Sequence, residues 1–277
     1  MIYIIEKDLY WLGQSGRKWN KTANLLSFFC SLMPFCARRS TCKKRVFEQL
    51  DTNYRLKDQG VLNPYLGVDV EQNANSIKFH QTKYCEGMIE RCNAVDAHPS
   101  RITMETNMRL TVKDGAVNRR KEAPVNRKNF PYRDLVGSLL YLTICTRADL
   151  AFLQHIGAAK RLLRYLVGTK TQGIVYTRNK SVEQKPELII DGYCASDWGN
   201  DPDTRKSTTG FVHCMAGGAV SWASRRQTIV AQSTAEAEYV AVCEACMEVQ
   251  GLRNMLIQVF PDLETKGEWE LAIRRPT

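Results

Sequence analysis

The sequence predicts an α/β protein in which short strands alternate with helices along 277 residues. In several short segments apolar residues recur at every second position, which is typical of strands that bury one face. In other segments they recur three and four positions apart, which is typical of helices that bury one face. Because both periods occur throughout the chain, strands and helices are expected to share common cores.

The first 178 residues are predicted to contain helices and strands in mixed order. The predicted helices lie over residues 8–42, 83–92, 132–147 and 158–167. The predicted strands lie over residues 66–72, 77–81 and 173–178, with a turn at residues 73–76. Residues 111–128 are polar and basic without a period, so they are predicted to form a linker or surface loop. Gly168 occupies the position expected of a helix C-cap.

Three strands and a long helix are predicted from about residue 186 onwards. The strands are expected over residues 188–193, 210–215 and 219–224, with Gly217 and Gly218 as a hairpin turn. Ser233 or Thr234 then caps a helix, and Glu236 completes a capping-box pattern. This helix is expected to reach about residue 258, since Ala, Leu, Met and Glu dominate the segment.

The charge of the chain favours a polyanionic partner. The net charge is +10 and the pI is about 9.1. Nucleic acid is the first candidate, and the alternative is a soluble protein that is merely basic. The ten cysteines complete no zinc site, and no signal peptide or membrane-spanning run is recognised. We therefore expect an intracellular protein, cytoplasmic or nuclear, with reduced thiols and no membrane contact.

Five segments in fixed order, followed by a sixth longer one, resemble a known family. The five are LYWLGQSGRKWN, FEQLDTNYRLKDQGVLNPYLGVDVEQ, FHQTKYCEGMIERC, YRDLVGSLLYLTICTRADLAF and AAKRLLRYLVGTKTQGIVY. They are similar to segments of the reverse transcriptase and connection regions of copia-type LTR retrotransposon Pol polyproteins. The sixth, residues 192–239, resembles the ribonuclease H domain of the same polyproteins.

The resemblance implies a domain order, a cofactor and a partner. It implies a reverse transcriptase palm and thumb remnant over residues 1–110, and a linker with connection helices over residues 111–185. A C-terminally truncated ribonuclease H-like domain is expected over residues 186–277, with a mixed sheet and flanking helices. The family's reactions are RNA-directed DNA synthesis and hydrolysis of RNA–DNA hybrids. The implied cofactor is Mg²⁺, and the implied partner is an RNA–DNA hybrid or RNA.

The segments that resemble the reverse transcriptase lack its metal-binding aspartates. The family carries an adjacent Asp pair between the segments that correspond to residues 9–20 and 47–72. Residues 31–53 of this chain contain no such pair. Since two metal ions must be held by aspartates for this phosphoryl transfer, the chain is predicted not to polymerise.

The nuclease resemblance keeps only part of its carboxylate set. The motif GYCASDW places Ala195 at the position of the first-strand metal ligand and Asp197 at a second, structural acidic position. Asp191, Ala195 and Asp197 share a face of a regular strand, so partial rescue by either aspartate is an open alternative. Glu238 is the predicted helix ligand, and Glu236 is predicted to interact with the helix dipole. Glu268 is a weak candidate for the third ligand.

Two basic groups are candidates for contacts with nucleic acid. The first is the loop group of Arg205, Lys206 and Ser207, and the second is the helix group of Lys160, Arg161 and Arg164. The alternatives are a turn that fixes the next strand and a solvated helix face. At the level of the whole chain, the hypotheses are an impaired nuclease, a non-catalytic nucleic-acid-binding remnant and an unstable pseudogene product.

Overall fold

The computed structural model describes residues 3–5, 56–58, 67–103, 132–151, 159–177 and 189–259. The predicted helix at residues 8–42, the predicted linker at residues 111–128 and Glu268 lie outside this part. The described helices are α1 (Thr82–Arg91), α2 (Tyr132–Cys145), α3 (Ala159–Thr169) and α4 (Thr234–Val259), with a 3-10 turn at Ala148–Leu150. None of these described helices has the length and apolar character needed to cross a bilayer.

The described strands form one two-stranded and two three-stranded sheets, all antiparallel. The strands are β1 (Tyr3–Ile5), β2 (Leu56–Asp58), β3 (Asp69–Gln72), β4 (Ser76–His80), β5 (Gly173–Thr177), β6 (Asp191–Asp197), β7 (Thr208–Met215) and β8 (Gly218–Arg226). The predicted α/β class is therefore confirmed at this level. A parallel strand, which a mixed sheet requires, is not among the described residues.

The first three-stranded sheet pairs segments that lie far apart in sequence. β4 is the middle strand, with β3 on one side and β5 on the other. In this register Ile77 lies opposite Tyr176 and His80 lies opposite Gly173. A Cβ atom on Gly173 would come within 2.1 Å of the carbonyl oxygen of Phe79. Glycine therefore permits the close approach of β5 to β4.

The helical core is built from α1, α2, the 3-10 turn and α3. Its buried side chains include Leu139, Leu142 and Leu166, all with 0% exposure. The predicted C-cap at Gly168 is wrong, because α3 continues through it to Thr169. A Cβ atom on Gly168 would lie 3.0 Å from the Cβ atom of Pro99, so close packing explains this glycine.

A buried arginine joins the 3-10 turn to the end of α3. The Arg147 guanidinium is 2% exposed and donates to both carboxylate oxygens of Asp149, at 2.9 and 2.7 Å. It also donates to the carbonyl and hydroxyl oxygens of Thr169, at 3.0 and 2.9 Å. Burial by itself lowers the pKa of Arg147, but the hydrogen bonds and charge of Asp149 outweigh it and raise that pKa.

The second three-stranded sheet carries α4 on one face. β7 is the middle strand, and Cys194, Phe211 and Ala245 form the buried contact between sheet and helix. The predicted first strand, residues 188–193, is displaced, since β6 runs from Asp191 to Asp197. The hairpin turn lies at Ala216 and Gly217, which both have positive φ, rather than at Gly217 and Gly218.

The two three-stranded sheets meet where β5 approaches β8. The Tyr176 hydroxyl donates to the carbonyl oxygen of Ala219 at 2.6 Å. The backbone N–H of Thr177 donates to the carbonyl oxygen of Ala216 at 2.8 Å. A Cβ atom on Gly218 would come within 2.5 Å of the Tyr176 ring, so glycine is needed there. The indole N–H of Trp222 donates to the carbonyl oxygen of Thr143 at 2.8 Å and adds a contact to α2.

We predict that the Arg147 network makes a large contribution to stability. Arg147→Ala is expected to lower the free energy of unfolding by about 3 kcal/mol, because the carboxylate and carbonyl oxygens lose a buried donor. Arg147→Lys should cost less, since the charge remains but the bidentate geometry is lost. Urea denaturation of both variants measures these values.

The exposed pair between Lys170 and Glu86 provides the control. Lys170→Ala is expected to cost less than about 1 kcal/mol, since exposed ion pairs contribute little. Equal losses for Arg147→Ala and Lys170→Ala would contradict the importance of the buried network.

Candidate functional site

The candidate site lies where the beginning of α4 meets the end of β6. Ser233 caps α4, since its Oγ accepts the backbone N–H of Glu236 at 3.2 Å. The Glu236 carboxylate in turn accepts the backbone N–H of Gln232 at 2.8 Å. One turn into the helix, Glu238 Oε2 accepts the backbone N–H of Ser196 at 3.1 Å. The helix therefore places Glu238 against the strand that carries Ala195.

Gln227 fixes this meeting of helix and sheet from inside the fold. Its side chain is buried, with 1% exposure. The amide nitrogen lies 3.2 Å from Ser196 Oγ, 3.1 Å from Thr209 Oγ1 and 2.9 Å from the carbonyl oxygen of Ala237. One side chain thus connects β6, β7 and α4. Nothing in the sequence indicates this role, because glutamine is usually a surface residue and the contacts of Gln227 are distant in sequence.

The carboxylates of β6 are separated or already hydrogen-bonded. Asp197 Oδ1 accepts the backbone N–H of Thr208, which holds the end of β6 to the start of β7. Asp191 is exposed at the other end of the strand. Its position five residues before Ser196 corresponds to roughly 17 Å along a strand. This spacing does not support Asp191 as a partner of Glu238 in one ion site.

The described residues do not fit the Mg²⁺ site that the resemblance implies. No group of three or more His, Cys, Asp or Glu side chains able to hold a metal ion occurs among them. The side chain of Ala195 has no oxygen atom that could bind a metal ion, and Glu238 already accepts a backbone N–H. Magnesium requires several hard oxygen ligands in octahedral geometry. Glu238 and Asp197, each of which accepts a backbone N–H, do not form such a set, and Glu268 lies outside the described part.

The loop between β6 and β7 is folded around Asp201. Its carboxylate accepts the Thr204 hydroxyl at 2.6 Å, the backbone N–H of Asp203 at 3.1 Å and the Arg226 guanidinium at 2.8 Å. The hydrogen bond from Thr204, together with that from Arg226, lowers the pKa of Asp201 to about 2. The side chain is 11% exposed, so these bonds are partly shielded from water.

The predicted loop group splits into exposed and buried members. Arg205 is exposed and has a positive φ of 56°, a conformation that non-glycine residues rarely adopt. Lys206 Nζ donates to the carbonyl oxygen of Thr228 at 2.6 Å. Ser207 is fully buried, and its Oγ accepts the backbone N–H of Gly199 at 2.9 Å. For Ser207 this geometry favours the alternative in which the turn fixes the next strand.

The predicted helix group lies on α3, which packs in the helical core. Arg164 is exposed, and its Nε donates to the carbonyl oxygen of His98 at 2.7 Å. Arg161 is half-exposed, and the side chain of Lys160 lies outside the described part. The Arg164 contact connects α3 to the segment after α1, so this side chain has a structural role in addition to its charge.

Comparison with known proteins gives three informative relatives. The chain is 33% identical over 222 residues to the retrovirus-related Pol polyprotein from transposon TNT 1-94 of Nicotiana tabacum, covering 75% of this chain and 16% of that protein. It is 28% identical over 229 residues to the retrovirus-related Pol polyprotein from transposon RE2 of Arabidopsis thaliana, covering 78% of this chain and 15% of that protein. The chain therefore spans less than a fifth of these polyproteins.

A shorter relative is matched over most of its own length. The secreted RxLR effector protein 161 of Plasmopara viticola is 39% identical over 134 residues, which cover 44% of this chain and 90% of that protein. No protein-family model matches the chain. No solved structure matches it either.

We predict that Asp201 makes stability depend on pH in the acid range. Its folded pKa of about 2 lies below the unfolded value of about 3.9, so its contribution is present above pH 4 and is lost as the pH falls towards 2. Asp201→Asn should lose on the order of 1 to 2 kcal/mol at pH 6 and approach the unchanged protein at pH 2. Urea denaturation across this range measures the difference.

The two proteins should differ most at neutral pH and least at the acid end. A difference that stays constant from pH 6 to pH 2 would show that the carboxylate charge of Asp201 is not the cause.

Proposed function

The chain belongs to the copia-type retrovirus-related Pol polyproteins of transposons, and on that premise we propose that it binds nucleic acid without cleaving it. In this proposal, residues 189–259 correspond to a ribonuclease H-like domain and the preceding described part to reverse transcriptase and connection segments. The ancestral activities are RNA-directed DNA synthesis and hydrolysis of RNA–DNA hybrids. Two facts about the site carry the proposal. Ala195 occupies the position of the first-strand metal ligand, and the Glu238 side chain accepts a hydrogen bond from the strand backbone.

Binding is supported by charge and by relatives. The net charge of +10 attracts the phosphate backbone of any nucleic acid, independent of its sequence. The relatives are Pol polyproteins of transposons, a class of protein for which nucleic-acid contact is expected. Within the described part, exposed basic residues include Arg205 on the loop after β6 and Arg164 on α3. Phosphate contacts of this kind give affinity rather than sequence specificity.

The proposed loss of hydrolysis is supported by the chemistry of the site. Two-metal hydrolysis needs ions that activate a water molecule and stabilise the leaving oxygen. At position 195 the chain has a methyl group, and the carboxylates of Glu238 and Asp197 each accept a backbone N–H. Without a set of oxygen ligands, the reaction has neither an activated water nor a stabilised leaving group. The same reasoning supports the proposed loss of polymerisation, since residues 31–53 contain no adjacent Asp pair.

We predict salt-sensitive binding without cleavage. The full chain should shift a labelled RNA–DNA hybrid in a gel, and the affinity should fall steeply as salt is raised, because bound counterions are released. The hybrid should stay intact with Mg²⁺ or with EDTA. Ala195→Asp should not restore cleavage, since that variant would add only one carboxylate beside Glu238. Denaturing gels of the recovered hybrid measure cleavage.

Glu238→Gln serves as the matched control, because the amide oxygen still accepts the Ser196 N–H. Robust Mg²⁺-dependent cleavage that Glu238→Gln abolishes would overturn the loss of hydrolysis. Absence of any cooperative melt by circular dichroism would instead favour the alternative of an unstable pseudogene product.

A further inference from the structure

An exposed indole and several half-exposed cations meet at one end of the second three-stranded sheet. We call this the Trp198 surface and define it by Trp198, Arg205, Lys206 and Arg226. In the sheet register Asp197, Thr208 and Arg226 lie side by side, so the strand ends bring these residues together. We propose that the Trp198 surface binds single-stranded nucleic acid, with a base stacked on the indole and phosphates on the guanidinium groups. This inference rests on the proposed function and names the form of nucleic acid.

The Trp198 ring is both exposed and held in place. It is 52% exposed, although large aromatic side chains are usually well buried. Its Nε1 donates to the carbonyl oxygen of Ala231 at 3.0 Å, which ties the ring to the segment before α4. The preceding residue is fixed as well, because the Asp197 carboxylate accepts the Thr208 N–H. A fixed, exposed indole can stack with a base at a small cost in conformational entropy.

The cations of the Trp198 surface are also positioned by the fold. The Arg205 guanidinium lies against Gly199, the residue after Trp198, where a Cβ atom would be 3.6 Å from its Nη2. Arg226 is 54% exposed and uses one N–H of Nη1 for Asp201, whose own side chain is 11% exposed. Lys206 is held by the carbonyl oxygen of Thr228. The Arg226 guanidinium is thus more exposed than the carboxylate that holds it.

The geometry favours a single strand over a hybrid. A base can stack on a protein ring only when it is not enclosed between its neighbours in a duplex, and aromatic platforms with adjacent cations are typical of single-strand binding.

The test compares the full chain and its variants on three labelled probes of equal length. These are an oligouridine RNA, an oligothymidine DNA and an RNA–DNA hybrid, and fluorescence anisotropy gives Kd at several salt concentrations. Trp198→Ala should weaken binding of both single strands about 10-fold, the effect of losing one stacked base. Trp198→Phe should keep most of the affinity, because it retains a ring face although it lacks the N–H. Arg205→Gln should reduce the salt slope by about 0.7, as expected for one phosphate contact.

Two exposed residues away from the surface serve as matched controls. Tyr193→Ala removes an exposed aromatic side chain, 51% exposed, that lies five positions before Trp198, and Lys83→Gln removes a cation that is 80% exposed near the other sheet. Both should leave Kd within about twofold of the unchanged protein. Circular dichroism confirms that each variant is folded. If Trp198→Ala unfolds, Trp198→Phe and Arg205→Gln still decide the proposal.

Several results would overturn the inference. One is equal affinity of Trp198→Ala and Tyr193→Ala for the single strands. Another is an equally large loss in Trp198→Phe, which would mean that the bond to Ala231 matters and the ring face does not. A third is tighter binding of the hybrid than of either single strand. Binding that none of these variants alters removes the inference and leaves the proposed function, whereas absence of binding to all three probes removes both.

Discussion

The second three-stranded sheet and its helix depend on one buried amide. Gln227 lies just after β8, and its amide nitrogen reaches Ser196 on β6, Thr209 on β7 and the carbonyl of Ala237 on α4. A buried amide must keep its hydrogen bonds, because each one lost leaves a polar group without water. The helix can therefore neither slide along nor rotate on the sheet without breaking these bonds. The position of Glu238 beside Ser196 follows from this restraint.

Several carboxylates in the described part accept hydrogen bonds that hold the fold together. Glu238 binds a strand N–H, Asp197 binds the N–H of Thr208, and Asp149 holds the buried Arg147. In each case the acceptor oxygen satisfies a donor that would otherwise be costly to bury. A carboxylate that is engaged in this way has fewer lone pairs free for a metal ion. The structural use of these side chains and the absence of a ligand cluster among the described residues are therefore two aspects of the same arrangement.

Regular elements were predictable from sequence, and contacts between them were not. The period of apolar residues placed α1 within one residue of its observed bounds, because a strong amphipathic pattern is a local property. The apolar run at residues 188–190 led to a predicted strand that begins three residues before β6. Ile189 is 51% exposed, and the buried residue of the strand is Cys194 instead. Gly168 has a cap-like sequence position, but a distant proline decides its role. Gln227 and Asp201 act through partners on other elements, which one sequence does not reveal.

An alanine at position 195 alters how a polyanion meets this surface. In a metal-dependent nuclease, a cluster of carboxylates repels the phosphate backbone until cations neutralise it. Here the strand carries a neutral side chain at that position, and Glu238 directs an oxygen to a backbone donor. The electrostatic repulsion that metal ions would have to neutralise is therefore smaller. Phosphates can then approach this end of the sheet while the half-exposed guanidinium groups of Arg225 and Arg226 remain available, although carboxylates partly neutralise both. The missing ligand at position 195 would abolish hydrolysis. Its absence is compatible with metal-independent binding of nucleic acid, since only hydrolysis requires the ions.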